Sequence, residues 1–125
     1  MGLNKSIVAV DDSRIMLTTL QNMLSEQYEF RGFARAERAL NYIEQFPPSL
    51  IILDIDMPEM DGYTMLGKIK ENIALKDIPV IFLTSNNEKD YVLKANKYGI
   101  GGYVVKPINK EILMSKIEAL LSGQV

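Results

Sequence analysis

Short apolar runs alternate with segments of helical period along almost the whole chain. The predicted strands span residues 6–10, 28–33, 50–53, 80–83 and 103–105. Three of them are nearly all apolar, which is typical of strands that are covered on both faces. Strict strand-helix alternation predicts a parallel sheet with helices on both faces, joined by right-handed crossovers. The pattern therefore favours a doubly wound α/β fold.

Five predicted helices follow the five strands. Pro47 and Pro48 end the second helix. The fourth spans about residues 88–98 and stops at Gly99, and the fifth begins after Asn109, a residue suited to a helix cap. Apolar residues also share one face of the first, second, third or fifth helix: Met16, Leu17, Leu20, Met23, Leu24, Ala36, Leu40, Ile43, Met65, Leu66, Ile69, Ile73, Ile112, Leu113, Ile117, Leu120 and Leu121.

The size and composition of the chain restrict its class. Its 125 residues fit one domain, and 47% apolar residues with a net charge of -2 indicate a globular protein that does not bind nucleic acid directly. The absence of cysteine and histidine excludes disulfides, thiolate metal sites and histidine chemistry. The N-terminal apolar run is too short for a signal peptide or a membrane span. We therefore expect a cytoplasmic protein whose chemistry uses oxygen groups and lysine.

Polar side chains that could carry chemistry follow four of the five predicted strands. In a doubly wound sheet, ligands bind outside the carboxyl ends of the strands, near the point where the strand order reverses. The second strand contributes no ionic group, as expected for a strand at the edge of the sheet. The residues at the other four strand ends are Asp11, Asp12, Asp54, Thr84, Ser85 and Lys106.

Convergence of Asp11, Asp12 and Asp54 would create strong repulsion. Two carboxylates about 4 Å apart repel by roughly 4 kcal/mol at an effective dielectric constant of about 20. Either protons are retained or a cation balances the charge, and the candidates are Lys106 and a divalent metal. Oxygen ligands favour magnesium, with calcium or manganese as alternatives. A metal, a lysine and a hydroxyl together suit phosphoryl transfer, in which Asp54 would be the nucleophile.

These strand ends together resemble the receiver domain of bacterial two-component response regulators. The resemblance covers essentially the whole chain and implies a flavodoxin-like fold, with one five-stranded parallel sheet in the order 2-1-3-4-5 and five helices. It also implies a signalling switch whose only catalytic activities are its own phosphorylation and dephosphorylation. The residues that carry the resemblance are Asp11-Asp12, Asp54 within DIDMPEMDG, Thr84, Tyr103 and Lys106-Pro107.

The resemblance also implies how the acids act. Asp54 would accept a phosphoryl group from a histidine kinase or a histidine phosphotransfer protein. Asp11, Asp12 and Asp54 would hold Mg²⁺, and Asp56 would add its backbone carbonyl to the metal. Asp56 and Asn86 occupy positions that tune the lifetime of the phosphoryl group in this family, and the direction of their effect is left open.

The remaining matches concern the switch itself. Thr84 and Lys106 would bind phosphoryl oxygens, while Tyr103 turns inward as Thr84 moves. Phosphate would change the surface formed by the fourth helix, the fifth strand and the fifth helix. A target protein, a fused output domain or a second copy of the chain would bind that surface.

Three loops are expected to shape the site. Pro58 and Gly62 belong to the turn that keeps Asp54 open, and the bond between Lys106 and Pro107 matches one that is often cis in the family. The sequence Gly99-Ile100-Gly101-Gly102 departs from the family pattern, so the loop before the fifth strand is expected to be looser than usual. We expect a single receiver domain over residues 1–125, with residues 122–125 as a tail or the start of a linker.

Other interpretations of these residues are open. Each residue alone has a structural explanation: acids suit a helix start, Asp54 a turn and Lys106 a surface position. Asp54-x-Asp56 also resembles the opening motif of haloacid dehalogenase-type phosphatases, in which the first acid is the nucleophile and the second the general acid. That motif, however, lies on an early strand in those enzymes. A receiver-like module that only binds a partner is the third alternative.

Overall fold

The computed structural model describes residues 5–57, 60–85 and 101–123. Five strands and four helices lie in these ranges. The strands are β1 (Ser6–Val10), β2 (Glu29–Phe33), β3 (Leu50–Asp54), β4 (Val80–Thr84) and β5 (Gly102–Val105). The helices are α1 (Arg14–Leu24), α2 (Ala36–Gln45), α3 (Gly62–Glu71) and α4 (Lys110–Ser122).

All five strands form one parallel sheet in the order β2-β1-β3-β4-β5. This confirms the predicted flavodoxin-like fold. Every residue of β3 and β4 is buried, because helices cover both faces of the sheet centre. Alternate residues of β3 therefore enter two different cores. Ile51 and Leu53 join the core under α2 and α3, whereas Leu50 and Ile52 join the core under α1 and α4.

Short polar side chains fix where three of the helices begin. Ser13, Asp61 and Asn109 each accept a hydrogen bond from the backbone N–H three residues later, which satisfies an unpaired donor of the first turn. Because each of these helices follows a strand, its first turn lies at the carboxyl edge of the sheet. The prediction that Asn109 caps the last helix is confirmed.

Two apolar residues that were predicted to face the core are exposed instead. Ile73 was expected within the third helix, but α3 ends at Glu71 and Ile73 is 84% exposed. The cause is Asn72, whose side chain accepts a hydrogen bond from the Ala74 N–H and so competes with helix continuation. Ile112 does lie in the last helix, but it is 52% exposed instead of facing the core.

Some predictions fall outside the described residues. These are the helix over 88–98, Pro58, Asn86, and Gly99 with Ile100. At the other end, α4 runs to Ser122 and Gly123 caps it, so only residues 124–125 of the predicted tail lie outside the described ranges. No helix in the described ranges is both long enough and apolar enough to cross a membrane.

Candidate functional site

The carboxyl edge of the sheet brings four strand ends together. Asp54 is the last residue of β3, Thr84 is the last residue of β4, and Asp11 directly follows β1. The ladder continues past the strands, since the Lys106 N–H donates to the Thr84 carbonyl at 2.7 Å and the Asp11 N–H donates to the Phe33 carbonyl at 3.0 Å. These backbone bonds anchor the candidate side chains to the strand ladder.

Lys106 bridges two of the acids. Its Nζ lies 3.0 Å from Asp11 Oδ2 and donates a hydrogen bond to Asp54 Oδ1 at 3.3 Å. Asp11 is fully buried and Asp54 is 3% exposed, so both carboxylates are shielded from water. The Lys106–Pro107 peptide bond is cis, as the resemblance implied. The structure therefore joins the first, third and fifth strand ends through one ammonium group.

The acids could also hold a metal ion. Asp11, Asp12 and Asp54 each offer a carboxylate oxygen within 4.8 Å of the others. The Ser13 N–H donates to Asp11 Oδ1 at 2.9 Å, which orients that side chain. Asp11 Oδ2 is buried and has no hydrogen-bond partner among the described residues, and its charged neighbour is Lys106 Nζ at 3.0 Å. An orphaned oxygen within an all-oxygen cluster fits a hard divalent cation.

Burial controls the charge of Asp54. Desolvation, followed by the charge of Asp11, raises the pKa of Asp54 from its ordinary value of 3.8 to about 6. Lys106 and a backbone hydrogen bond from Asp56 act in the opposite direction. For Lys106, burial opposes the charged form, but the Asp11 and Asp54 carboxylates outweigh it and raise the pKa of the ammonium. The site is therefore short of positive charge even with Lys106 in place.

Thr84 and Tyr103 lie on neighbouring strands beside this cluster. Thr84 is 2% exposed. Tyr103 pairs with Phe82 across β4 and β5 and packs, partly buried, against the core under α2 and α3. Lys116 of α4 places its Nζ 6.0 Å from the centre of the Tyr103 ring. Tyr103 thus links the sheet edge to the last helix.

Gly62 holds the turn after β3 against Asp54. A Cβ atom at Gly62 would lie 2.7 Å from the Asp54 carbonyl oxygen and 2.9 Å from Ile55 Cα. The Gly62 N–H also donates to the Ile55 carbonyl at 2.8 Å. The sequence predicted a turn here, but it did not show that the helix start touches the backbone of Asp54 itself. The sequence signal for this contact is the pair Asp61-Gly62 at the start of a helix, because glycine allows two backbone segments to approach closely.

Sequence reasoning also missed the role of Ser13 toward the acids. Ser13 was not among the predicted site residues, and its side chain caps α1 in the structure. The same residue uses its backbone N–H to fix Asp11 Oδ1. An aspartate side chain that accepts a hydrogen bond from the N–H two residues later forms an Asx-turn, and aspartate is one of the residues that favour this turn.

Known proteins resemble this chain in sequence and in fold. The family profile described as response regulator receiver domain matches residues 7–118. Chemotaxis protein CheY1 of Helicobacter pylori is 31% identical over 119 residues, with 92% of this chain and 95% of that protein covered. A probable cyclic di-GMP phosphodiesterase of Vibrio cholerae is 33% identical over 95% of this chain, which spans only 27% of that protein's length.

A solved structure gives the same result. The signal receiver domain of a signal transduction histidine kinase from Syntrophus aciditrophicus superposes with a TM-score of 0.87 and is 32% identical. The alignment covers 96% of this chain and 92% of that domain. Asp54 lies on the third strand of a sheet with the receiver order, not on an early strand as in the phosphatases. The chain belongs to the response regulator receiver domain family.

Proposed function

We propose that this receiver domain is a magnesium-dependent switch in which Asp54 accepts a phosphoryl group from a histidine kinase or a histidine phosphotransfer protein. The observation that carries the proposal is the bridging of Asp11 and Asp54 by Lys106, at 3.0 and 3.3 Å, with Asp12 close by. Such a cluster is short of positive charge and lies at the rim of the sheet, where Asp12 is exposed. It is suited to a dianionic phosphoryl group that arrives with a metal ion.

The chain's own groups would divide the chemistry between them. An Asp54 carboxylate oxygen attacks the phosphorus atom, the bond from phosphorus to the donor's imidazole nitrogen breaks, and the imidazole takes up a proton as it leaves. Lys106 and Thr84 then bind oxygens of the phosphoryl group. Water later attacks the same phosphorus, the bond from phosphorus to the Asp54 oxygen breaks, and inorganic phosphate leaves, which returns Asp54 to its carboxylate form.

The acids supply the metal site. Asp11, Asp12 and Asp54 would hold Mg²⁺ together with the backbone carbonyl of Asp56. The bound ion supplies positive charge to the phosphoryl oxygens. The support for this assignment is the orphaned Asp11 Oδ2 within a set of three carboxylates.

Phosphate on Asp54 would act by favouring one of two conformations. It draws Thr84 and Lys106 toward the phosphoryl oxygens and shifts Tyr103, which packs beside Lys116 of α4. We define the output surface as β5 and α4, to which the predicted helix over residues 88–98 would be added. A target protein, a fused output domain or a second copy of the chain would bind it. The activity of any longer protein would depend on that partner.

The direct test is the intact mass of the chain after incubation with acetyl phosphate, with and without Mg²⁺. We expect the gain of one phosphoryl group that requires Mg²⁺ and is slowly lost. Steady turnover of phosphomonoesters without a phosphorylated protein would instead indicate the phosphatase. No reaction with several donors would leave a module that only binds a partner.

Magnesium is expected to stabilise the fold. A ligand that binds only the folded state adds about 2.7 kcal/mol at a concentration 100 times its dissociation constant, and folding here brings the three acids together. The midpoint of thermal unfolding should therefore rise with Mg²⁺ concentration and then follow the logarithm of that concentration. Asp12→Asn should lose most of this rise, whereas Asp77→Asn, at an exposed site elsewhere, should keep it. An equal rise in both variants would contradict the assignment.

Replacing Lys106 with alanine should move the titration of Asp54. Lys106 lowers the pKa of Asp54, so its removal should raise that pKa above the present value of about 6. Carbon-13 NMR of the carboxyl groups without metal measures this change directly. In the phosphorylated protein, the same substitution should remove most of the phosphate-induced shift of the Tyr103 resonances. Lys110→Ala, at the exposed start of α4, is the matched control; an Asp54 titration that is the same in both variants would refute the role of Lys106.

A further inference from the structure

Arginine is confined to one corner of this domain. The chain has four arginines, at positions 14, 31, 35 and 38, and all its other basic side chains are lysines. Arg31 lies on β2, one of the two edge strands, while Arg14 opens α1 and Arg35 and Arg38 lie at the start of α2. Because α1 and α2 both begin at the carboxyl edge of the sheet, three of these side chains come to one place.

A groove of about 470 Å³ lies between the start of α1 and the connection from β2 to α2. We call it the arginine groove. Arg14, Arg35 and Arg38 line it, and Leu17 and Phe33 add apolar surface. Its volume is within the range of about 300–1,000 Å³ that is usual for small-molecule sites.

Two of the arginines in this groove, Arg14 and Arg38, form no ion pair with an acid of the described residues. Within residues 5–57, 60–85 and 101–123, no carboxylate pairs with Arg14 or Arg38, and no acid is among the residues that line the groove. Glu37, the acid between the two α2 arginines, lines a different groove between α2 and α3. The arginine groove therefore carries an excess of positive charge next to an acidic site.

The start of α2 adds to this preference for an anion. Of the four helices that the structure describes, α2 alone has no side-chain cap, since its cap position is Arg35, whose guanidinium cannot accept a hydrogen bond. Unpaired N–H groups and the helix dipole favour negative charge at such an end. A charged residue on an edge strand prevents that strand from pairing with another chain, which explains Arg31 on β2. This protection does not explain why three other arginines line one groove.

We propose that the arginine groove is a second binding site, for a small organic phosphate with at least two phosphoryl groups, such as a nucleoside diphosphate. Guanidinium groups bind phosphate oxygens through two parallel hydrogen bonds, and several of them match a multiply charged anion better than a single carboxylate. The apolar surface of Leu17 and Phe33 suits the organic part of the ligand. This site is independent of phosphorylation at Asp54.

NMR titration of the ¹⁵N-labelled chain tests the proposal. The probes are pyrophosphate and ADP, with EDTA present so that no metal-bound phosphate occupies the acidic site. We expect saturable chemical-shift changes at the amides of Arg14 and residues 32–38. The amides of Thr84 and Lys106 should show no change that saturates at the same ligand concentration. The double variant Arg14→Gln/Arg38→Gln should bind about 100-fold more weakly, at roughly tenfold for each guanidinium group removed.

The control is Lys68→Gln/Lys70→Gln on α3, which removes the same charge from another helix. It should bind both probes as the unmodified chain does. Equal affinity of the arginine and lysine double variants, or shifts centred on Lys106, would overturn the proposal. So would the absence of saturation at millimolar concentrations, or binding of pyrophosphate that ADP does not reproduce. Because the arginines are exposed, the variants should fold, and the shifts of the unmodified chain test the location independently.

Discussion

Replacing Asp54 with asparagine is expected to abolish phosphoryl incorporation and, in the same protein, to raise the free energy of unfolding at neutral pH. The amide of asparagine cannot act as the nucleophile, so the gain in mass with acetyl phosphate and Mg²⁺ should disappear. The increase in stability follows from burial, because asparagine removes a carboxylate that is 3% exposed and lies beside Asp11. Loss of function and gain of stability should therefore accompany each other.

The pH dependence of stability distinguishes removal of the Asp54 charge from a change in stability that is the same at every pH. The pKa of Asp54 is about 6 in the folded chain and 3.8 ordinarily, so the folded state binds this proton more tightly than the unfolded state. The stability that Asp54 contributes is present below about pH 4 and is lost as the pH rises through about 6. Relative to the asparagine variant, the unmodified chain should lose about 2 to 3 kcal/mol over that window.

Urea unfolding without metal, at a series of pH values from about 4 to about 8, measures this difference. Asp77→Asn is the matched control because Asp77 is exposed and precedes the start of β4, at the opposite edge of the sheet from Asp54. Its stability should follow the unmodified chain at every pH. Parallel curves for the Asp54→Asn protein and the unmodified chain would show that burial does not perturb Asp54. Phosphate gained by a folded Asp54→Asn protein would contradict the assignment of the acceptor.

Substitution of Gly62 by alanine is expected to damage both the fold and the site. The new Cβ would approach the Asp54 carbonyl oxygen to 2.7 Å and Ile55 Cα to 2.9 Å, and both are backbone atoms. Relief requires the start of α3 or the end of β3 to move. Overpacking of this kind costs about 1 to 3 kcal/mol. Because the displaced backbone carries the Asp54 side chain, phosphorylation should slow as well.

Gly67 provides a matched control on the same helix. A Cβ atom at Gly67 would meet nothing within 4 Å, so Gly67→Ala should stabilise α3 by up to about 1 kcal/mol through helix propensity alone. Urea unfolding and the rate of phosphoryl incorporation should be measured for both variants. Opposite signs of the stability change are expected. A Gly62→Ala protein as stable and as reactive as the unmodified chain would show that the turn can yield without cost.

Several parts of the fold could be predicted because they depend on residues that are close in sequence. The buried strands β3 and β4 appear as uninterrupted apolar runs, and Asn109 caps α4 as its position before an amphipathic segment indicated. Local competition explains the failure at Ile73. There the Asn72 side chain ends α3 through a hydrogen bond that apolar periodicity does not reveal.

The candidate site could be predicted only as a set of strand ends. The order of the strands then decides which ends are neighbours, and that order comes from the packing of the whole sheet. The arginine groove shows the same limit. Arg14 is remote in sequence from Arg35 and Arg38, and the three share one groove because β2 lies at the edge, between the starts of α1 and α2.

Residue order is enough to predict the strand-helix alternation, the parallel sheet and the identity of the groups at its carboxyl edge, since each depends on local periodicity and on where a strand stops. The folded arrangement was needed to see that Lys106 reaches both Asp11 and Asp54, and that burial raises the pKa of Asp54 to about 6. Distances and desolvation depend on side chains brought together from remote parts of the chain. These quantities are properties of the folded chain and cannot be obtained from residue order alone.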